Sequence, residues 1–213
     1  QPRSRGLGDV YKRQVLGSGS DIGHKIAVHP EIAAISFTGS VQTGRQLYKD
    51  ASSTMKKMQM EMGSKNPLIV MDDADLKTAI TCAVNGAYGG TGQKCTASSR
   101  LIVHKNIYKK FIDGLLENIK NLKVGHALDE GTQMGPVSSQ SQFDSNLKYV
   151  DIGKGEAKLA FGGSPMNMRT PGYYMEPTLF IDGDNKSRIN QEEMFGPIAC
   201  AVSYTHLRAH ETE

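Results

Sequence analysis

The 213-residue sequence has no tryptophan, only three cysteines and no apolar run longer than five residues. A helix that crosses a bilayer needs about 20 apolar residues in succession, so the short runs exclude a membrane span. Cys82, Cys95 and Cys200 are odd in number, far apart and without a CxxC pair. That excludes a disulfide scaffold and leads to the expectation of a reducing, cytoplasmic setting. The six histidines form neither HExxH nor a Cys/His pair at ligand spacing, so no metal site is expected.

Basic charge is also scarce where it would matter. The formal charge of +3 sits at the N-terminus, where Arg3, Arg5, Lys12 and Arg13 face only Asp9, while Arg208 against Glu211 and Glu213 leaves the C-terminal end at −1. The body, residues 15–202, then carries +1. It has no basic footprint of the kind nucleic-acid binders show, and no nucleic-acid partner is expected. Residues 1–14 and 203–213 also lack periodicity or a secretory core and resemble translated sequencing-adapter read-through. They are expected to be foreign to the fold, the alternative being disordered native tails.

What is present describes a loop-rich globular chain, 38% apolar with 23 glycines, long enough for a hydrophobic core. Short β-rich runs alternate with amphipathic segments, which predicts an α/β fold. Strands are expected at 32–37, 57–61, 68–71, 100–104, 157–161, 178–181 and 198–202. Helices are expected at 42–51, 76–87, 107–122 and 140–152. The strongest is 107–122, with Ile107, Phe111, Leu115 and Ile119 on one stripe and Asn106 as its N-cap. The Gly63-Ser64 turn is the expected domain boundary.

Cys95 lies in GGTGQKCT, a small-residue stretch between a helix and a strand where a thiol could meet a substrate beside backbone N–H groups. Lys94 would favour the thiolate, the reactive form. Cys82 and Cys200 occupy apolar periodic positions and read as packing residues. Nucleophile and inert thiol both remain open for Cys95. The same stretch is not a P-loop, because Gln93 separates Gly92 from Lys94. Glu61, set among Met58, Met60 and Met62, is either a desolvated proton acceptor or a solvated glutamate.

FTGSVQTG places Gly39, Ser40 and Gly44 in a turn between a strand and a helix, a geometry suited to phosphate; Gly17 to Gly23, ahead of another short helix, has the same character. EEMFGP sets Glu193 and the Phe195 ring two residues apart, or simply ends a helix. Asp72, Asp73 and Asp75 precede a helix and read as capping residues.

In this order, SFTGSVQTG, MEMGSKNP, GQKCTASSR and EEMFGP resemble the cofactor-phosphate turn, the E-L-G-G-K segment, the nucleophile segment and the ribose-binding segment of the aldehyde dehydrogenase superfamily. The resemblance runs from about Val15 to Val202. It implies the end of a Rossmann-like NAD(P)-binding domain over 15–63 and an incomplete α/β catalytic domain over 64–202, truncated at both ends. By resemblance Cys95 is the nucleophile and Glu61 the general base. Gly39, Ser40, Gly44 and Gly23 are cofactor-turn residues, Glu193 binds the nicotinamide ribose and Phe195 lies close to the nicotinamide.

The implied reaction oxidises a small-molecule aldehyde with NAD or NADP through a Cys95 thiohemiacetal and thioester, which water activated by Glu61 hydrolyses. A glutamate at this position favours the acid product over acyl transfer to coenzyme A. A non-catalytic nucleotide-binding protein of the same fold is the rival of a different class. Ser64 replaces the usual second glycine, and the family's upstream oxyanion asparagine and cofactor lysine have no counterpart before Val15. The chain alone is therefore expected to be inactive, and the resemblance implies a full-length parent that is a homo-oligomer. ASSRLIV, SKNPLIV and GYYMEPTLF most resemble the branch acting on semialdehydes such as 2-oxoglutarate semialdehyde.

Overall fold

The computed structural model describes residues 14–206, which divide into two compact units between Gly63 and Ser64. The first contains α1 (Gly19–Val28), β1 (Ala34–Gly39), α2 (Val41–Ser52) and β2 (Lys57–Met62). β1 and β2 pair in parallel, with Thr38 opposite Glu61 and Gly39 opposite Met62. Two parallel strands need a crossover, and α2 supplies it. Ser40 begins α2 because its hydroxyl accepts the Thr43 N–H at 3.2 Å. Gly44 lets the helix lie close on β2: a Cβ there would fall 2.5 Å from Met62 Sδ.

The second unit holds β3 (Pro67–Val70), α3 (Leu76–Tyr88), β4 (Arg100–His104), α4 (Lys105–Lys120), α5 (Gln140–Glu156), β5 (Lys158–Phe161), β6 (Thr178–Ile181), the four-residue α6 (Arg188–Gln191) and β7 (Ile198–Tyr204). Its five-stranded sheet runs β3-β4-β7-β6-β5, parallel except for β5 against β6. β7 is central and apolar on both faces, as a doubly covered parallel strand must be. Ala199 and Ala201 join Leu101, Val103 and Leu179 under Phe111, Leu115 and Ile119 of α4. Ile198 and Cys200 face the other way, toward Val150 of α5 and Ile189 of α6. Each of these large side chains contributes roughly 1.5–3 kcal/mol on burial.

Several boundaries differ from expectation for local reasons. α4 begins at Lys105 and its N-cap is His104, whose imidazole accepts the Asn106 N–H, so Asn106 is inside the helix. β7 continues past Val202, since Ser203 and Tyr204 pair with Val103 and His104, and Tyr204 is buried. Cys82 is exposed, not a packing residue: the buried stripe of α3 is Ala83, Ala87 and Tyr88, and Cys82 lies about 100° round the helix from Ala83. Cys200 is buried as expected. Asp75 caps α3, accepting the Thr78 N–H at 2.8 Å. No helix among the described residues is long and apolar enough to cross a membrane. Residues 1–13 and 207–213 lie outside the described residues.

Candidate active site

Cys95 is presented by a loop built from backbone that few side chains tolerate. After α3 the chain makes a short turn, Gly89–Gly92, in which Gly90, Thr91 and Gly92 all have positive φ, at 61°, 60° and 65°. For the β-branched Thr91 this costs of order 1–2 kcal/mol. Part of it is offset by the Thr91 hydroxyl, which donates to the Gly135 carbonyl at 3.1 Å. Gly92 has no room for a side chain, because a Cβ there would overlap the Gly196 carbonyl. The loop carrying Cys95 and the turn after Phe195 therefore touch backbone to backbone.

Beyond Gly92 the loop is fixed from two sides. Gln93 and Ser138 exchange hydrogen bonds: Gln93 Nε2 donates to Ser138 Oγ at 2.9 Å and the Ser138 N–H to Gln93 Oε1 at 3.0 Å. Lys94 to Ala97 form a turn closed by the Ala97 N–H on the Lys94 carbonyl at 3.0 Å. Cys95 is exposed at its first corner. Asn66 Nδ2 donates to the carbonyls of Cys95 at 2.7 Å and Ala97 at 3.4 Å. The Lys94 side chain folds back along Gly90, and its ammonium lies 3.5 Å from where a Gly89 Cβ would be.

The EEMFGP turn is held just as closely. Arg188 grips Glu192 through two bonds of 2.9 and 3.0 Å, and the Tyr149 hydroxyl adds a third at 2.9 Å. Gln142 Nε2 donates to the Met194 carbonyl at 3.1 Å. Glu193, half-buried, accepts the Ser64 N–H, and its burial pushes its carboxyl above the ordinary range. Phe195 adopts a positive φ of 51° and keeps its ring at the surface. Lys65 stands near this carboxylate with its Nζ buried and without a hydrogen-bond partner. Burial pushes that amine down to about 7.

In the first unit the glycine turn and Glu61 share the carboxyl end of β1 and β2, the usual ligand end of parallel strands. Ser40 takes the Thr43 N–H, and its carbonyl takes that of Gly44 at 2.9 Å. The N–H groups of Val41 and Gln42, in the first turn of α2, have no protein acceptor among the described residues. Gly23 is placed differently from expectation. The turn ends at Ser18, which caps α1, and Gly23 falls inside the helix where its N–H belongs to the ladder. Glu61 is exposed, the solvated of the two readings that its sequence left open. On a strand with period 2, Met58, Met60 and Met62 occupy the face opposite Glu61.

Cys95, Glu193 and Phe195 thus belong to one unit, and Gly39, Ser40, Gly44 and Glu61 to the other. Sequence reasoning missed Asn66, Thr91, Gln93 and Ser138. An asparagine before a proline and a threonine between glycines were the available signals. No cluster of three or more His, Cys, Asp or Glu suited to a metal occurs among the described residues.

The model of the Aldehyde dehydrogenase family matches residues 10–210. Hydroxyisobutyraldehyde dehydrogenase from Mycolicibacterium austroafricanum is 38% identical over 194 residues, covering 91% of this chain and 38% of that protein. Alpha-ketoglutaric semialdehyde dehydrogenase from Bacillus subtilis (strain 168) is 42% identical over 191 residues, 88% of this chain and 39% of the relative. A crystal structure of betaine aldehyde dehydrogenase from Staphylococcus aureus, in complex with NAD+, superposes with a TM-score of 0.87 at 37% identity. It covers 90% of this chain and 39% of that one, so this chain spans about two fifths of the relatives it matches. The α/β architecture and the match along nearly the whole described chain lead to one conclusion: the chain belongs to the aldehyde dehydrogenase family.

Proposed function

We propose that Cys95 is the nucleophile of an NAD(P)+-dependent aldehyde dehydrogenase that converts an aldehyde to a carboxylic acid. The observation that carries this reading is the exposed Cys95 at the corner of a turn held by Asn66 and Gln93 and packed through Gly92 against the Glu193–Phe195 turn. A thiol so placed attacks the carbonyl carbon of an aldehyde and forms a thiohemiacetal. The Cys95 N–H, which has no protein acceptor among the described residues, is available to the developing oxyanion. When bound, the nicotinamide cofactor supplies the hydride acceptor that turns the thiohemiacetal into a thioester. Glu61, solvated and at the carboxyl end of β2, takes a proton from the water that hydrolyses that thioester.

The residues present fit such a cofactor at two places. The unpaired N–H groups at the start of α2, behind Gly39, Ser40 and Gly44, suit a phosphate. The half-buried Glu193, two residues before the exposed Phe195, retains acceptor capacity for a ribose diol. Gly23 has no such support and is left out. The NAD+ complex of the S. aureus relative supports the cofactor class, and the B. subtilis relative supports a semialdehyde as the narrower substrate. A cytoplasmic, homo-oligomeric parent belongs to the same reading. Turnover is assigned to a full-length enzyme, since this chain spans about two fifths of its relatives, and the 213 residues alone are expected to be inactive.

In the full-length enzyme, Cys95→Ala should abolish NAD(P)H formation from aldehydes while cofactor binding persists. Retained turnover would remove Cys95 as nucleophile. Product analysis of the unmodified enzyme should yield free acid, and acyl-coenzyme A instead would overturn the role of Glu61.

A further inference from the structure

Asn66 stands at the end of the MEMGSKNP segment, and its side chain makes the closest polar contact to the backbone of Cys95. Asn66 Nδ2 donates to Cys95 O at 2.7 Å and also reaches Ala97 O at 3.4 Å, bridging the turn that closes from Ala97 N to Lys94 O. In that turn Cys95 and Thr96 are the two central residues, and neither has a positive φ, which places it in the type I class. The peptide between them is the one that rotates when a type I turn converts to type II. Rotation would carry the Cys95 carbonyl to the opposite side and change the backbone angle beside the thiol.

The segment ahead of the turn is held as far as Gln93, by the Thr91 hydroxyl, the Gly92 packing and the Gln93–Ser138 bonds, but none of these reaches the Cys95–Thr96 peptide. Asn66 is anchored elsewhere. Proline at 67 restricts it to extended backbone, and β3 fixes that proline opposite Arg100. A planar trans peptide also points its N–H opposite to its C=O, so a grip on the Cys95 carbonyl sets the direction of the Thr96 N–H. The N–H groups of Cys95 and Thr96 donate to no protein acceptor among the described residues.

We propose that Asn66 is the positioning residue of the thiol: its carboxamide clamps the Cys95–Thr96 peptide and thereby sets the thiol and the Thr96 N–H beside it. The proposal rests on the reading of Cys95 as nucleophile for its catalytic meaning, but the clamp itself is tested without turnover. Labelling the chain with carbonyl-13C cysteine gives three resonances, one per cysteine. In Asn66→Asp, which keeps the shape and loses the donor, and in Asn66→Ala, the Cys95 resonance should move upfield. Those of Cys82 and Cys200 should stay, which also reports that the fold is retained.

Alkylation of Cys95 by iodoacetamide, followed by peptide mass spectrometry, should slow by about fivefold in both variants, the scale of control one neutral hydrogen bond exerts. The rate at exposed Cys82 should not change. In the full-length enzyme kcat should fall with KM unchanged. An unmoved Cys95 carbonyl, an unchanged or faster alkylation in Asn66→Asp, or an effect confined to Asn66→Ala would overturn the clamp, the last because it marks a space-filling role. Turnover surviving Cys95→Ala would remove the nucleophile reading and leave the carbonyl result standing, so the two failures are distinguishable.

Discussion

At Gly92 the absence of a side chain lets two loops meet. Its positive φ of 65° and its contact with the Gly196 carbonyl combine two demands that alanine cannot satisfy. Gly92→Ala should destabilise the second unit by about 3 kcal/mol, the sum of left-handed strain and overpacking, read as a lower urea midpoint. Thr91 and Phe195, also at positive φ, sit on either side of the same contact. Strain of this kind collects where a loop is held for a purpose. The residue types at 95, 193 and 195 stood out in the sequence by chemistry alone. The exposure of Glu61 and of Cys82 did not, because which face of a strand or helix is covered depends on what packs there.

Among the elements, α5 makes the same point with two glycines of opposite effect. Gly153 is buried, and a Cβ on it would lie 2.5 Å from Phe180 Cζ; Gly155, two residues on, has nothing within 4 Å. Gly155→Ala should therefore stabilise the unit by up to about 1 kcal/mol through helix propensity. Gly153→Ala gains the same propensity yet should lower stability by about 1–2 kcal/mol, because Phe180 must be displaced. Urea denaturation of both variants checks the sign of each. Helix propensity at these two positions reads identically in the sequence. The strands and α4 were legible because period-2 and period-4 apolar patterns are local, whereas the cap of α4 moved to His104 because an imidazole can replace the usual capping oxygen.

For the molecule as a whole, Lys65 makes stability depend on pH. Its amine is pushed down to about 7 from 10.5, chiefly by burial, with Arg100 adding repulsion and Cys200 and Glu193 opposing. Between those values the unfolded chain holds a proton that the folded chain does not, so unfolding free energy rises with pH across that window and is lost as pH falls toward 7. Lys65→Met should accordingly be more stable than the parent near neutral pH, with the advantage shrinking toward about pH 10. Comparing urea midpoints of the two proteins cancels the buried tyrosines, which do not interact with Lys65. An advantage that did not change with pH would show that the buried amine is not the cause.

The sequence by itself determined the α/β alternation, the boundary region at Gly63-Ser64 and the family, because each rests on local periodicity or on motifs read in order. It also supplied the reactive residue types. Only the tertiary structure decided how Cys95 is held. Asn66 is 29 residues away from it and Gly196 more than a hundred from Gly92, and both meet the loop because parallel strands bring distant turns to one end of a sheet. Such contacts depend on backbone direction and register, which the residue types along a chain do not encode singly.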